Sequence, residues 1–283
     1  MKKSFKIGLL ICGLLLLCWG IYAVCCRPAH TLTILHVNDT HSQLEPVRSG
    51  SFAGQGGALE RAAFVDSVRV ADGAENVLVL HAGDFSQGTS YFTEFGAPLM
   101  VKVLNAIHYD AVTLGNHEFD NGIEALGEAL SACEVPVVVC NYDFSPFEMG
   151  KYIKPYIIVE KAGKRIGIVG VTCSLASMVS AEISNRLIEK DMVSSVQACV
   201  DEIRPECDLV IALTHIGYEE HNPGDTTDPL LCAATRGIDL FVGGHSHTFL
   251  EEPAYVNNLD GKPIPIVQSG EMGVQMGQMH LKL

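Results

Sequence analysis

Short apolar runs rich in Val, Ile and Leu alternate with stretches of helical periodicity from Thr31 to the end of this 283-residue chain. The strand-like runs are TLTILHV, NVLVLHA, YDAVTLG, VPVVVC, YIIVE, RIGIVGV, CDLVIALTH, IDLFVGG and PIPIVQSG, followed by a final alternating run, EMGVQMGQMHL. The helical candidates are residues 57–69, 97–105, 123–132, 193–203 and 229–235. Such alternation predicts a layered α/β domain in which helices cover the sheets. No linker divides residues 31–283, so we expect one domain.

Polar side chains follow the five most apolar runs at the point where each predicted strand ends. Every one of these sets contains Asp, Asn or His: Asp39 and His41, Asp84, Asn116 and His117, His215, and His245 and His247. In α/β folds the carboxyl ends of the strands form the edge at which sites assemble. We therefore expect the five sets to converge on one site.

The chemistry of the converging residues indicates metal binding. The candidate ligands are nitrogen and oxygen donors without thiolate: Asp39, His41, Asp84, Asn116, His215, His245 and His247. They are too many for one ion and enough for two if Asp84 bridges them. Imidazole and carboxylate suit Zn, Mn, Fe, Co or Mg without selecting one. Two ions about 3.5–4 Å apart can polarise a phosphoryl oxygen and activate a shared water.

The charge of the chain excludes a nucleic-acid polymer as its partner. The net charge is −14, and charged residues make up 18% of the sequence. Phosphate backbones are bound through clustered Lys and Arg, which this chain lacks. If the substrate is a small phosphoester, metal ions are the natural source of positive charge.

The ordered motifs resemble a known superfamily. The series D-x-H (Asp39, His41), G-D (Asp84), G-N-H-E (115–118), H (His215) and G-H-x-H (244–247) is similar to that of calcineurin-like metallophosphoesterases. Within that superfamily, ILHVNDTHSQLEP, AGDFSQGT, LGNHEFDNG and VGGHSHT resemble the catalytic domain of the 5′-nucleotidase family. The resemblance implies a four-layer sandwich of two mixed β-sheets flanked by helices.

The resemblance also implies a role for each residue. Asp39, His41, Asp84 and His247 would hold one ion, although a Gln replaces His247 in parts of the family; Asp84, Asn116, His215 and His245 would hold the other. His117, oriented by Asp120, would be the catalytic histidine that assists the leaving oxygen. The implied reaction is hydrolysis of a phosphomonoester, a nucleotide or related compound, by a metal-activated water. Glu118 is expected to support the turn rather than bind metal, and Gly115 to let the backbone turn tightly.

Two alternatives remain open at this level. Full-length members of the family continue into a nucleoside-binding domain, and the sequence given contains no counterpart of it. Either a separate chain supplies that domain, or the protein hydrolyses phosphoesters with looser specificity. A cyclic-nucleotide phosphodiesterase or broad phosphatase on the same scaffold is one alternative function, and a non-catalytic metal-binding partner subunit is another.

The N-terminus reads as an export signal. Three lysines precede an apolar run of about 20 residues, which fits a signal peptide, a lipoprotein signal or a membrane anchor in residues 1–26. Each version places the rest of the chain in a bacterial cell envelope or periplasm, with membrane association only through the N-terminus. The cysteines beyond this segment are expected to be free thiols and not metal ligands.

Three further positions have a structural and a functional interpretation. His36 and His81 lie inside predicted strands, where a core histidine is more common than a ligand; His81 precedes the Asp84 turn and could support it. Asn141 follows a strand, so it either stabilises the strand-end turn or faces the phosphate.

Overall fold

A computed structural model describes residues 31–283 as two mixed sheets covered by helices. The predicted segment 1–26 lies outside the described residues. The strands are β1 (Thr31–Val37), β2 (Val77–His81), β3 (Ala111–Thr113), β4 (Val137–Val138), β5 (Tyr142–Asp143), β6 (Ile153–Lys154), β7 (Tyr156–Lys161), β8 (Lys164–Thr172), β9 (Ile188–Glu189), β10 (Leu209–His215), β11 (Leu240–Val242), β12 (Ala254–Asn257), β13 (Pro263–Val267) and β14 (Gly277–Lys282). The helices are α1 (Ala58–Asp72), α2 (Ser90–Phe95), α3 (Ala97–Ile107), α4 (Ile123–Leu130), α5 (Ala181–Ser184), α6 (Met192–Ile203) and α7 (Asp228–Ala234).

Each large sheet has six strands, most of them parallel, with an antiparallel strand at one edge of the first sheet and at both edges of the second. The first sheet has the order β14-β1-β2-β3-β4-β6, in which only β14 is antiparallel to its neighbour. The second has the order β12-β13-β11-β10-β8-β7, in which β12 and β7 are antiparallel to theirs. β5 and β9 form a separate small ribbon. The predicted class, two mixed sheets flanked by helices, is confirmed.

The central strands are apolar along their whole length because both of their faces are buried. On one face, side chains of both sheets meet in a shared core, which includes Leu32, Ile34, Leu78, Leu80, Ile166, Ile168, Ile211 and Leu213. On the other face, residues such as Leu35 and Val79 pack with the helix residues Val65, Met100 and Leu104. The continuous apolar runs of the sequence are therefore strands between two packed layers.

The sheets approach most closely where β4 meets β8. A methyl group at Gly170 would overlap the carbonyl carbon and oxygen of Val138. Thr113 joins the same junction, since its hydroxyl donates to the carbonyl oxygens of Val138 at 2.9 Å and Val171 at 3.3 Å. The absence of a side chain at Gly170 allows the two backbones to come together at the centre of the fold.

Gly170→Ala should therefore lower the free energy of unfolding by about 1–3 kcal/mol, the usual cost of overpacking a core. Gly167→Ala in the same strand is the matched control, because its new methyl would lie 2.6 Å from Cδ1 of Ile203, the free end of a side chain that can move. Urea unfolding of both variants measures the difference. An equal loss in the two would contradict the close approach at Gly170.

Sequence periodicity found the long elements and missed the short ones. All the predicted strands and helices are present, and most of their ends lie within a few residues of those expected, although the final strand β14 begins at Gly277, six residues after the start of the predicted run. The two-residue strands β5, β6 and β9, the edge strand β12 and the short helices α2 and α5 were not predicted, because such lengths carry too few residues for a periodic pattern. Among residues 31–283, no helix is both long enough and apolar enough to cross a bilayer.

Candidate metal centre

Six of the predicted ligands come together in two groups at the carboxyl ends of the parallel strands. The first group is Asp39, His41 and His247, and the second group is Asp84, His215 and His245. Each group takes residues from both sheets, since the loops after β1 and β2 meet β10 and the loop after β11. The centre thus lies across the junction of the two sheets.

The ligand atoms of the first group form a small triangle. Oδ1 of Asp39 lies 3.3 Å from Nε2 of His247 and 3.9 Å from Nε2 of His41, and the two histidine nitrogens are 3.1 Å apart. A tetrahedral ion with bonds of about 2.0–2.1 Å holds its ligand atoms about 3.3 Å apart. The triangle therefore has the dimensions of one face of such a coordination sphere.

The second group is buried and adjoins the first. Nε2 of His215 lies 3.2 Å from Oδ2 of Asp84 and 3.8 Å from Oδ1 of Asp39. The His245 ring centroid is 5.1 Å from that of His215. The contact between His215 and Asp39 joins the two groups, so ions held by them would be close neighbours.

Hydrogen bonds leave at least one ligand atom in each group without a partner. Oδ2 of Asp39 accepts from Nδ2 of Asn38 at 2.6 Å and from the amide of His245 at 2.9 Å, whereas its Oδ1 has no partner. Nδ1 of His215 donates to the carbonyl oxygen of Ala82 at 2.7 Å, whereas its Nε2 has none. Because buried polar atoms are normally paired, these atoms fit a cation.

The electrostatics of the second group also favour a cation. Burial lowers the pKa of His215, but the facing carboxylates Asp84 and Asp39 outweigh burial and raise it to about 10. Burial raises the pKa of Asp84, and His215 more than reverses this and holds it below its usual range. Burial lowers the pKa of His245 to about 4, so its ring is neutral and offers a lone pair. The donor set therefore fits a divalent ion in each group.

The backbone at five of the candidate ligands is strained. Asp39, His41, Asp84, His245 and His247 have φ values of 49°, 44°, 53°, 82° and 54°, in the left-handed region that side chains rarely adopt. Such conformations cost on the order of 1–3 kcal/mol each and are concentrated at functional sites. The strand ends turn sharply here, and the turns direct the side chains at one another.

The G-N-H-E segment closes the second group from the side of β3. A Cβ at Gly115 would lie 2.6 Å from Nε2 of His215, and the amide of His117 donates to Oδ1 of Asp84 at 2.9 Å. The φ of Gly115 is not in the left-handed region, so the end of the strand does not depend on the conformational freedom of a glycine. Its missing side chain instead makes room for Asp84 and His215, and the same chain path carries Asn116 past these ligands.

His117 and Asp120 lie beside the first ligand group, but neither residue belongs to either of the two groups. Nδ1 of His117 is 2.9 Å from Oδ2 of Asp120, and the His117 ring centroid is 5.5 Å from that of His41. The hydrogen bond to Asp120 raises the pKa of His117. About 31% of the His117 side chain is exposed, which leaves its Nε2 edge free to meet a substrate.

Glu118 holds the turns together and does not reach a ligand group. Its carboxylate accepts from three backbone amides: those of Gly115 at 2.6 Å, Asp84 at 2.9 Å and Ser86 at 2.9 Å. Burial, followed by the charge of Asp84, raises its pKa to about 7. This carboxylate therefore connects the loop after β2 to the loop after β3.

Glu118→Ala should lower the free energy of unfolding by at least about 3 kcal/mol, because it leaves three buried amides unpaired at about 1–3 kcal/mol each. Glu128→Ala, on the exposed face of α4, is the control and should change little. Unfolding in urea, in the presence of a chelator, separates this effect from metal binding. A cost below about 1 kcal/mol, the lower end of the range for a single unpaired amide, would show that the three amides find other partners.

Asn141 and His81 have structural partners. The Asn141 side chain bonds the backbone of Thr172 in both directions, at 2.7 Å and 3.0 Å, so it joins the two sheets and is not free for a phosphate. His81 lies 3.1 Å from the hydroxyl of Thr40, between Asp39 and His41 in sequence. Burial lowers the pKa of His81 to about 3, so its ring is neutral. Through its contact with Thr40 it supports the strained turn that carries Asp39 and His41.

Two neighbours of the centre were missed by sequence reasoning. Sγ of Cys173 lies 3.8 Å from Oδ1 of Asn116, although no cysteine is near a candidate ligand in sequence. Oε2 of Glu271 lies 3.1 Å from Nδ1 of His247. Glu271 follows β13, so the rule that finds the other sites, a polar residue after a parallel strand, also points to it.

The cysteines at 133, 140, 173, 199, 207 and 232 are free thiols, as predicted.

The sequence of this chain matches a known family and known relatives. Residues 32–249 match the calcineurin-like phosphoesterase family. A 5′-nucleotidase of Homo sapiens is 34% identical over 279 residues, which are 90% of this chain and 47% of the relative.

Two solved structures have the same fold over most of the chain. A 5′-nucleotidase precursor from Thermus thermophilus superposes with a TM-score of 0.79 at 34% identity, over 88% of this chain and 51% of that one. The NAD nucleotidase of Haemophilus influenzae superposes with a TM-score of 0.75 at 28% identity, over 88% and 47% of the two chains. The chain spans about half the length of these relatives.

Proposed function

Because this chain belongs to the calcineurin-like phosphoesterase family, we propose that it is a dimetal phosphomonoester hydrolase that acts on nucleotides. The observation that carries the proposal is the pair of adjoining ligand groups, joined by His215 and Asp39 at 3.8 Å, with an exposed histidine beside them. The similarity to 5′-nucleotidases at 34% identity supports nucleotides as the substrate class.

Asp39, His41 and His247 would hold one ion, and Asp84, Asn116, His215 and His245 the other, with Asp84 shared between them. Two divalent ions, when bound, supply Lewis acidity toward a phosphoryl oxygen and lower the pKa of a water near it. The negative charge of this chain makes such ions necessary for binding a phosphate dianion. His247, with about 38% of its side chain exposed, extends the centre toward solvent, where the substrate enters.

His117 would hand a proton to the leaving oxygen. Its Nδ1 donates to Asp120, which fixes the ring and leaves Nε2 as the atom that faces the ester. Because Asp120 raises the pKa of His117, the ring keeps a proton on Nε2 to a higher pH than a free imidazole does. A positioned general acid of this kind contributes about 10²- to 10⁴-fold to a rate.

A cavity of about 590 Å³ beside the second group gives the organic part of a substrate room. It is lined by Cys173, Ser174, Ile216 and His245 on the side of the centre, and by the segments 189–193 and 224–226 on the far side. Small-molecule sites are commonly about 300–1,000 Å³. A nucleoside therefore fits against the same surface that carries His245.

Export of the protein is part of the proposal. The basic residues and apolar run of residues 1–26 direct the domain out of the cytoplasm, and the phosphoester it meets is then an extracytoplasmic nucleotide. Attachment to the envelope, by a lipid or an uncleaved anchor, would act through this segment alone.

Hydrolysis assays on the full chain, kept in detergent so that its N-terminus is retained, test the function. Metal content is measured first, and nucleoside monophosphates, cyclic nucleotides and an aryl phosphate are then compared under several divalent metals. We expect two ions per chain and fastest turnover of the monophosphates, abolished by a chelator and restored by added metal.

Other outcomes would identify the alternatives. Preference for cyclic nucleotides would favour a phosphodiesterase, and equal rates on all esters a broad phosphatase. Two bound ions without hydrolysis of any ester would reject the enzyme and favour a binding subunit. Poor discrimination among bases, improved by adding a nucleoside-binding chain, would support a two-chain enzyme.

A further inference from the structure

His247 is the most exposed ligand of the first group and needs an anchor of its own. About 38% of its side chain is exposed, against 10% for His41 and 0% for Asp39. An exposed imidazole loses rotational freedom when it is fixed, and this loss weakens a metal site unless another contact holds the ring. The contact at its second nitrogen is the carboxylate of Glu271, 3.1 Å from Nδ1.

Glu271 lies in a loop that is fixed to the first group by its backbone. The amide of Ser269 donates to Oδ1 of Asn38 at 2.8 Å, and Nδ2 of Asn38 donates to the carbonyl oxygen of Gly270 at 2.6 Å. The amide of Met272 donates to the carbonyl oxygen of Asp39 at 2.6 Å. None of these bonds uses the Glu271 side chain, so the loop keeps its place when that side chain changes.

The contact selects one tautomer of His247. A carboxylate oxygen 3.1 Å from Nδ1 attracts a hydrogen and repels a lone pair, so this charge contact favours the proton on Nδ1 and leaves the lone pair on Nε2. Nε2 is the atom that faces Oδ1 of Asp39 at 3.3 Å and Nε2 of His41 at 3.1 Å. In the other tautomer, Nε2 would carry a hydrogen and could not bind an ion.

A comparison with His215 shows what the carboxylate adds. Nδ1 of His215 donates to the neutral carbonyl oxygen of Ala82, and its side chain is fully buried. A carboxylate makes the opposite nitrogen a stronger electron donor than a carbonyl does, and such partners change metal affinity by about 10- to 100-fold. The exposed histidine of the centre thus has the stronger anchor.

We propose that Glu271 is a positioning residue that sets the metal affinity of the first group by holding His247 in its ligating tautomer. The inference rests on the proposed metal centre, although it concerns binding and not hydrolysis. It predicts that the two groups respond differently: loss of Glu271 weakens the first and leaves the second unchanged.

Titration of the metal-free full chain with Co²⁺ tests the proposal, since absorption bands of the bound ion report its ligands and each binding step is resolved. Glu271→Ala should weaken one binding step by about 10- to 100-fold and alter its spectrum. Glu271→Gln, whose amide oxygen can still accept from Nδ1, should fall between Glu271→Ala and the unchanged protein. Glu252→Gln, at an exposed position, is the control and should leave both steps unchanged.

A double substitution distinguishes action through His247 from a general effect. Once His247→Ala has removed the ring, adding Glu271→Ala should cause no further loss of affinity, because the two residues act as one unit. An additive loss would overturn the proposal, as would equal weakening of both binding steps or unchanged Co²⁺ binding in Glu271→Ala. Circular dichroism of each variant confirms that it is folded.

The outcome is separate from that of the hydrolase proposal. A chain that binds two Co²⁺ ions in the predicted way and hydrolyses no ester would keep the role of Glu271 and lose the proposed activity. A chain that hydrolyses nucleotides with unchanged Co²⁺ binding in Glu271→Ala would keep the activity and lose this role.

Discussion

Asp84→Asn should remove the ion of the second group and with it nearly all hydrolysis. Asp84 is buried, and its Oδ2 faces Nε2 of His215 at 3.2 Å. Asparagine keeps the shape but replaces a negative oxygen with a neutral group, and its NH₂ can point a donor at the ion. Even the supporting partners of metal ligands are worth about 10- to 100-fold in affinity. If Asp84 is shared by two ions as proposed, its loss should lower metal affinity by at least about 100-fold.

Metal content by mass spectrometry and hydrolysis of a nucleoside monophosphate measure the effect of Asp84→Asn. The amide oxygen of the new residue can still accept from the amide of His117, which now donates to Oδ1 of Asp84, so the loop after β3 should stay in place. Asp66→Asn is the control, because its carboxylate is about 75% exposed. Two ions bound as tightly as in the unchanged chain would remove Asp84 from the proposed ligand set.

His117→Ala should have the opposite signature: both ions stay bound, and turnover falls by about 10²- to 10⁴-fold. His117 belongs to neither ligand group, and it contacts the centre through its backbone amide, which alanine keeps. What alanine removes is the proton donor for the leaving oxygen. Measurement of metal content and kcat on one preparation gives both numbers.

Asp120→Asn provides a graded companion to His117→Ala. Asp120 raises the pKa of His117 through its hydrogen bond, so its loss lowers that pKa. A general acid acts only while it is protonated. With a lower pKa it loses its proton at a lower pH, so the alkaline limb of the rate profile should move toward acid. A normal rate in His117→Ala, or an unmoved alkaline limb in Asp120→Asn, would contradict the general-acid role.

Asp84→Asn and His117→Ala separate metal binding from catalysis, although the two residues are in contact. The second group and His117 meet at Asp84, whose one oxygen faces His215 and whose other accepts from His117. A change at this point affects both functions, whereas a change at the His117 ring affects one. This geometry explains why Asp84 and His117 should have the largest effects in the chain.

The elements that the sequence predicted best are those buried on two faces. β8 and β10 are long apolar runs because helices cover one side and the other sheet covers the second, so their composition alone identifies them. β12 has one face in solvent and four residues, and its pattern is too short to recognise. Glu271 follows β13 as the other site residues follow their strands, but it is one acidic residue in a loop, and its distance to His247 is what distinguishes it from other polar loop residues.

The sequence by itself determined the fold class, the chemical type of the centre and the strand ends at which its residues lie. It could do so because burial makes strands apolar and because a site at their carboxyl edge must interrupt that pattern with Asp, Asn and His. The family resemblance implied how those residues divide into two groups, but only the tertiary structure brings the members of each group together and decides which partner orients each one. Each group joins residues from two sheets that are far apart in sequence, so its membership depends on the packing of the sheets and on the strained turns that aim the side chains. Neither leaves a local pattern in the chain.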